Sequence, residues 1–376
     1  ARPRYRGGAL HLGGHRRCLR GADAFRMPAP QRCNNQHGDR VTEPTHRLAS
    51  RGGAGGAAPS QSPLVDVLLA TYNGAKYLRA QLDSLLAQTH QNFRLLVSDD
   101  GSSDDTLAIL ESYRVRFGER LVLVPNPHHG QGLVRNFENL MVASLHDGVA
   151  AWVAFSDQDD VWLPPKIELC LQEMVRMEQE GGAELPCLVH SDLTVVDEHL
   201  GVISESFATY QRMDPLQCSP LSLLSVNQVT GCTMMVNRTL LRMALPLPQD
   251  TIMHDWWCGL VSGSGHRCFV PTPLILYRQH GANQVGAKDR SLKTRLLRLL
   301  TNGQGIVRRV RVLGGATYLQ AQALQLRLRA LGLDEGYVSE YLAWRDGPLR
   351  ARIFGYREYY VGPELDRLSR CLLWFK

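Results

Sequence analysis

An α/β protein with a doubly wound sheet is the fold this sequence predicts, and three observations predict it. Short apolar runs alternate with amphipathic stretches from Leu64 to Phe155, in a βαβαβαβ order with brief connections. Polar clusters fall where three of those runs end, at Thr71–Gly74, Ser98–Asp104 and Ser156–Asp160. That is where ligands of such sheets bind, outside the carboxyl ends of the strands. The third observation is the density of the last cluster. Phe155-Ser156-Asp157-Gln158-Asp159-Asp160-Val161-Trp162 puts three carboxylates within four positions. Ionised carboxylates this close repel one another, and leaving water makes it worse. A divalent cation that takes hard oxygen ligands, and through them a phosphate, relieves the repulsion. The plainer alternative is a solvated acidic turn in which Asp157 or Asp159 caps the following helix.

In chain order, residues 1–62 show almost no hydrophobic periodicity and end in a Gly/Ala stretch, Arg51 to Pro59. They cannot offset their own conformational entropy, so a disordered basic extension is expected, either a functional basic tail or, the preferred reading, a dispensable one placed by a start site too far upstream. The run Leu64–Ala70 is the first strand. Asn73 is expected to cap the next helix, whose Leu78, Leu82, Leu85 and Leu86 share a face. Phe93–Val97 is a strand, 105–117 a helix, Leu121–Val124 a strand and 132–145 an amphipathic helix. Ala150–Phe155 is the strand that feeds the acidic turn. A helix is expected from Pro164-Pro165 to about Glu180, then a strand at Leu188–His190. The run Asn227–Val236 reads as a strand with Gly231 at a close backbone approach. Met253-His254-Asp255-Trp256-Trp257 opens a short buried helix, and Phe269–Tyr277 holds strand segments interrupted by Pro271 and Pro273. Beyond Lys288 the composition turns to Leu and Arg. Leu292, Leu296, Leu299 and Leu300 suggest one helix, and Tyr318–Leu331 another. Three segments result: the extension 1–62, an α/β domain 63–287 and a basic helical region 288–376.

Charge is segregated among these segments, at +8, −11 and +9. An acidic central domain excludes a nucleic-acid groove, which needs its basic face on the folded part. The nine cysteines are scattered, odd in number and without a C-x-x-C pair, which argues against a disulfide framework or zinc site and suits a reducing cytoplasm. No apolar run approaches the roughly 20 residues that span a bilayer, and the Arg-rich N-terminus lacks the apolar segment of a secretory signal. Membrane association would be peripheral, through the basic helices on an anionic inner face.

Several residues are candidates for chemistry. Thr71, Tyr72 and Asn73 are placed to cradle a base or ribose against backbone amides. Asp99 or Asp100 offers a carboxylate to a pyrimidine imide, or else caps a helix. No G-x-G-x-x-G follows the first strand and no G-x-x-x-x-G-K-[ST] exists, which counts against dinucleotide and P-loop sites. Asp255, between His254 and two tryptophans, would be partly desolvated and shifted toward use as a general base. Its plainer role is a helix-start aspartate. His280 is a candidate third metal ligand beside the carboxylates, though a lone histidine is more often structural. Trp162, Trp256 and Trp257 could stack on a sugar face, with core packing as the default for each.

Ala70-Thr71-Tyr72-Asn73-Gly74, Ser98-Asp99-Asp100-Gly101-Ser102, Ser156-Asp157-Gln158-Asp159-Asp160-Val161-Trp162 and His254-Asp255-Trp256-Trp257 together resemble the motifs of family 2 glycosyltransferases, in order and approximate spacing. Residues 64–287 resemble their GT-A fold. Asp157–Trp162 and Tyr277-Arg278-Gln279-His280-Gly281 look like the bacterial rhamnosyltransferase branch. The resemblance implies an inverting transferase that moves a sugar, L-rhamnose from dTDP-rhamnose on this branch, to a saccharide or lipid-linked saccharide in surface polysaccharide synthesis. It implies Thr71, Tyr72 and Asn73 near the nucleotide, Asp100 on the pyrimidine, and Asp157 and Asp159 as a D-x-D for Mg²⁺ or Mn²⁺. Asp255 would be the catalytic base and His280 would close over the metal. Gly231, His254 and the tryptophans would lie on the acceptor side. Many relatives carry glutamate where this chain has His254, which leaves that side less defined. The competing readings are a UDP-hexose donor on the same fold, a nucleotidyltransferase (which would want a Gly- and Arg-rich first loop), and a non-catalytic glycan-binding protein.

Overall fold

The computed structural model describes residues 62–127, 129–281, 292–348, 350 and 352, with the main chain alone for 292–307, 309 and 310. The expectations for 1–61, 282–291 and 353–376 lie outside the described residues. The first half is the expected alternation: β1 (Val65–Thr71), α1 (Leu78–Leu86), β2 (Phe93–Asp99), α2 (Thr106–Phe117), β3 (Leu121–Leu123), α3 (Leu133–Asp147) and β4 (Trp152–Ser156). These four strands run parallel in the order β3-β2-β1-β4. β1 is buried along its whole length, as a strand covered on both faces must be, hence its unbroken apolar run.

After the acidic turn come β5 (Val161–Trp162), α4 (Lys166–Gly181), β6 (Cys187–Val196), β7 (Val202–Ser204), α5 (Phe207–Gln211) and α6 (Pro220–Leu223). β8 (Met235–Asn237), α7 (Arg238–Ala244), α8 (His254–Val261), β9 (His266–Arg278), α9 (Leu292–Ala330) and α10 (Gly336–Asp346) complete the described elements. The sheet continues β4-β8-β6-β9-β5, with β7 beside β6. β8 is antiparallel to both β4 and β6, so the sheet is mixed.

Alternate residues of β1 feed two cores. Val65, Val67 and Leu69 face α1, α2 and α4, while Leu68 and Ala70 face α3, α7 and α8. The second core also takes Ala321, Leu324 and Leu328 of α9 and Val338, Tyr341 and Leu342 of α10. The C-terminal helices are therefore part of the packing that carries Trp256 and Trp257.

Four local expectations are corrected. Asn73 does not cap α1: it sits at φ 46°, the helix starts at Leu78, and Asn73 Oδ1 accepts from Ser103 N–H at 2.8 Å. Residues 227–236 are not one strand, because Gly231–Thr233 is a 3₁₀ turn and only Met235–Asn237 pairs. The prolines do not divide β9, since its register against β6 shifts from Ser191↔Val270 to Asp192↔Pro273, which spares Pro271 a ladder hydrogen bond. The two C-terminal helices expected at 292 and 318 are one continuous helix, α9.

Candidate active site

The carboxyl ends of β1, β2 and β4 open on a cavity of about 600 Å³, lined among others by Thr71, Asp100, Asp157, Asp159, Gly231 and Asp255. Tyr72, His254, Gln158, Asn227 and Tyr277 also reach it. Trp162, Trp256 and Trp257 do not.

The turn after β1 is wired to its neighbours rather than left open. Asn73 N–H donates to Ser102 Oγ at 2.8 Å, Gly74 N–H to Thr106 Oγ1 at 2.8 Å and Ala75 N–H to Asp104 Oδ2 at 3.0 Å. Tyr72 N–H donates to Gln158 Oε1 at 2.9 Å, and Gln158 Nε2 donates back to Tyr72 O at 2.9 Å. The expected amide cradle is thus corrected: side chains of the second and third loops consume those donors, and Thr71 and Tyr72 line the cavity in other ways. Asp99 ties the two turns together, accepting from Thr71 Oγ1 at 2.8 Å and Ser102 Oγ at 2.6 Å. Asp100 lines the cavity while accepting from Gly130 N–H at 2.7 Å and Gly132 N–H at 2.9 Å. Gly132 holds φ 86° at the start of α3, a left-handed conformation that favours glycine.

The acidic turn separates its three carboxylates. Asp159 Oδ2 lies 2.8 Å from His280 Nε2, whose ring packs against Tyr77 at 4.6 Å. Asp157 is half-buried, and burial, then the charges of Asp159 and Asp255, raise it to about 7. Asp160 is fully buried; its Oδ1 accepts from Arg278 N–H at 3.1 Å, and its carboxylate takes a side-chain hydrogen bond from the Cys232 thiol. Burial, with Asp159 and Asp157 nearby, holds it well above the usual carboxylate range. Asp157, Asp160 and Cys232 each offer a ligand atom, all within 4.8 Å of one another. Beneath them Lys166 is buried with its Nζ 3.4 Å from the Trp162 ring centroid, and burial lowers it to about 8.

Asp255 stands in the first turn of α8, almost fully buried. Its Oδ1 accepts from Asn227 Nδ2 at 3.1 Å and Trp256 N–H at 2.5 Å. Burial raises it to about 6 against the pull of those hydrogen bonds. A Cβ on Gly231 would sit 3.0 Å from His254 Nε2 and 3.4 Å from Asp255 Oδ2, so the close approach expected there is to α8 side chains. His254 stacks on Phe137 at 3.9 Å and Phe155 at 5.5 Å. Burial lowers it to about 3, which keeps the ring neutral, and neither nitrogen has a partner among the described residues.

The sugar-stacking role suggested for the tryptophans is corrected. Trp162, Trp256 and Trp257 are 1%, 5% and 0% exposed, in the cores. Trp256 Nε1 donates to Leu223 O at 2.6 Å and Trp257 Nε1 to Ala244 O at 2.8 Å, which satisfies the polar end of each ring. Gln158, Asn227 and Cys232 escaped the sequence reading as site residues. Only the position of Gln158 inside the acidic run was a signal; the other two act through contacts made by folding.

Residues 66–181 match the family model for glycosyl transferase family 2. The dTDP-rhamnosyl transferase RfbG of Shigella flexneri is 26% identical over 241 residues, spanning 61% of this chain and 78% of that protein. An uncharacterized glycosyltransferase of Rickettsia prowazekii, RP339, is 36% identical over 107 residues, spanning 28% of this chain and 30% of that protein. Among solved structures, S. aureus TarS in complex with UDP-GlcNAc aligns with a TM-score of 0.49 and 16% identity, covering 74% of this chain and 70% of that one. Residues 66–181 run from β1 through α4 and hold the acidic turn after β4, so the segment that matches glycosyl transferase family 2 is the one whose strands open on the cavity.

Proposed function

We propose that the protein transfers a sugar from a nucleotide-diphosphate donor to a saccharide hydroxyl with inversion, using Asp255 as the base. One observation carries the reading: a buried carboxylate raised to about 6 opens on the same cavity as the acidic turn. Asp255 would take the proton of the acceptor hydroxyl as that oxygen attacks the anomeric carbon from the face opposite the diphosphate. The bond to the diphosphate oxygen breaks and its electron pair leaves with the diphosphate. Asn227, bonded to Asp255 Oδ1, orients the base, and the cavity walls hold the reactants in line.

Asp157, Asp159 and His280 fit Mg²⁺ or Mn²⁺, since they offer hard oxygens and an imidazole, and a dication would offset both the burial and the neighbouring charges that raise Asp157. When bound, the cation would neutralise charge on the departing diphosphate. The donor we propose is dTDP-L-rhamnose, supported by the printed activity of the Shigella relative and by the Asp157–Trp162 and Tyr277–Gly281 stretches. Among the described residues no helix is long and apolar enough to cross a membrane, and we propose peripheral contact for a lipid-linked acceptor.

A donor panel read by nucleoside diphosphate release tests this. Release fastest with dTDP-L-rhamnose is expected. Faster release with a UDP-hexose would overturn the donor assignment. No release or transfer with any donor would overturn the enzyme itself and favour a non-catalytic glycan binder.

A further inference from the structure

One aromatic ring that does not line the cavity stands behind the pair Asp159 and His280. Tyr77 closes the turn before α1, where its N–H donates to Gly74 O at 3.1 Å. Its ring lies 4.6 Å from the His280 imidazole, with 32° between the planes. The Arg278 guanidinium lies 4.7 Å from the centroid of the same Tyr77 ring, within cation–π reach. Arg278 is itself pinned in a buried position. Its Nε donates to Asp159 O at 2.8 Å, its Nη1 to Glu198 O at 2.7 Å and its main-chain N–H to Asp160 Oδ1 at 3.1 Å. The turn that bears Glu198 is tied back to the start of α1, because Lys76 Nζ donates to Glu198 Oε2 at 2.7 Å. Arg278, Tyr77 and His280 thus make a chain of contacts from the end of β9 through the start of α1 to Asp159 Oδ2, 2.8 Å from His280 Nε2.

We propose that Tyr77 and Arg278 are positioning residues, which hold the His280 imidazole at Asp159 so that both groups stand ready for a dication. The inference rests on the reading of Asp159 and His280 as ligands of Mg²⁺ or Mn²⁺. A ligating imidazole must present a nitrogen without a proton, so the hydrogen bond between His280 Nε2 and Asp159 Oδ2 is given up when both atoms turn to an ion. The packing on Tyr77 survives that exchange, because it involves the face of the imidazole and not its nitrogens. It keeps the ring from swinging away, and with it the loss of side-chain freedom that would otherwise count against binding. Arg278 acts one step further back. It fixes Tyr77 through the guanidinium and the acidic turn through Asp159 O, so the imidazole and the carboxylate share one frame.

The experiment is a Mn²⁺ titration of the full chain in the presence of dTDP, with free Mn²⁺ read by electron paramagnetic resonance. Tyr77→Ala and Tyr77→Leu both remove the aromatic face and should weaken Mn²⁺ binding about tenfold or more. Tyr77→Phe keeps the face and should bind Mn²⁺ as wild type does. The affinity for dTDP without metal should be unchanged in all three. In a His280→Ala background, Tyr77→Leu should cost nothing further, because a residue that acts through the imidazole has no effect once the imidazole is gone. Far-ultraviolet dichroism reports whether each variant folds. Wild-type Mn²⁺ affinity in folded Tyr77→Ala or Tyr77→Leu overturns the proposal. So does a full further loss on top of His280→Ala, which would mark a merely structural role. If His280→Ala weakens Mn²⁺ binding and Tyr77→Leu does not, only this inference fails; if wild type takes up no Mn²⁺, the metal reading itself fails and this inference with it.

Discussion

At Asp255, burial and hydrogen bonding pull in opposite directions, and burial wins, leaving the carboxyl raised to about 6. A base must be unprotonated, so kcat/KM is expected to fall about tenfold per pH unit below 6 and to level off above it. A limb placed near pH 4 would show that this carboxyl is not the base. Asp255→Asn removes the acceptor for the proton and should cost about 10²–10⁴-fold in transfer while donor binding stays, checked by turnover and by nucleotide titration. Turnover near the wild-type rate would sink the assignment. Asp255 and the Asp157–Asp160 turn were legible because each motif is local. Asn227 was not, since it lies 28 positions from Asp255 and meets it only on folding. The tryptophans misled for a related reason: they read as a sugar platform, but Trp256 and Trp257 point their indole N–H at carbonyls inside the core, and the buried Trp162 ring takes Lys166 Nζ on its face.

Among the elements, α8 depends on α9. Leu324 and Leu328 of α9 share a core with Trp256, Trp257 and Leu260 of α8. Arg327 of α9 donates from Nη2 to Pro246 O at 2.6 Å and from Nη1 to Leu245 O at 2.8 Å, fastening the segment after α7. Leu324→Ala is expected to destabilise the protein by about 2–5 kcal/mol, measured by denaturant unfolding, because the cavity it leaves is fully enclosed. A loss below 0.5 kcal/mol (about, on the same scale) would mean that the helix floats free of the core. Composition alone drew a border near Lys288, since a basic Leu/Arg helix looks like an appendage. It could not show which leucines turn inward, and that face is what joins α9 to the domain. Arg308 and Arg311 are exposed on the same helix, and Arg308→Glu with Arg311→Glu should weaken flotation with anionic vesicles if the peripheral contact exists.

On the scale of the whole molecule, the alternation from β1 to β4 was legible because parallel, doubly covered strands are continuous apolar runs punctuated by polar turns. The second half was less so. β8 pairs through three residues, and β9 keeps its place despite Pro271 and Pro273 only because the register shifts beside them. Such pairings depend on partners far away in sequence. The folded domain also concentrates acidic groups at one end of the sheet, so a divalent cation should stabilise it more at pH 8 than at pH 5. The sign follows from the raised carboxyl of Asp157: protonated below about 7, it must lose its proton to bind the ion. Thermal midpoints with and without Mn²⁺ at the two pH values check this, and equal shifts would contradict it.

The two hydrogen bonds between Gln158 and Tyr72 have a thermodynamic consequence. A side-chain amide there completes a rung with a main-chain peptide 86 residues away, so the acidic turn and the end of β1 are splinted at fixed separation. Gly74 leaves room for it, because a Cβ there would come within 2.2 Å of Gln158 Oε1. A donor arriving at such a splint has little ordering left to impose. Gln158→Ala should therefore weaken donor binding mainly through a less favourable entropy, seen by calorimetry, with the enthalpy little changed.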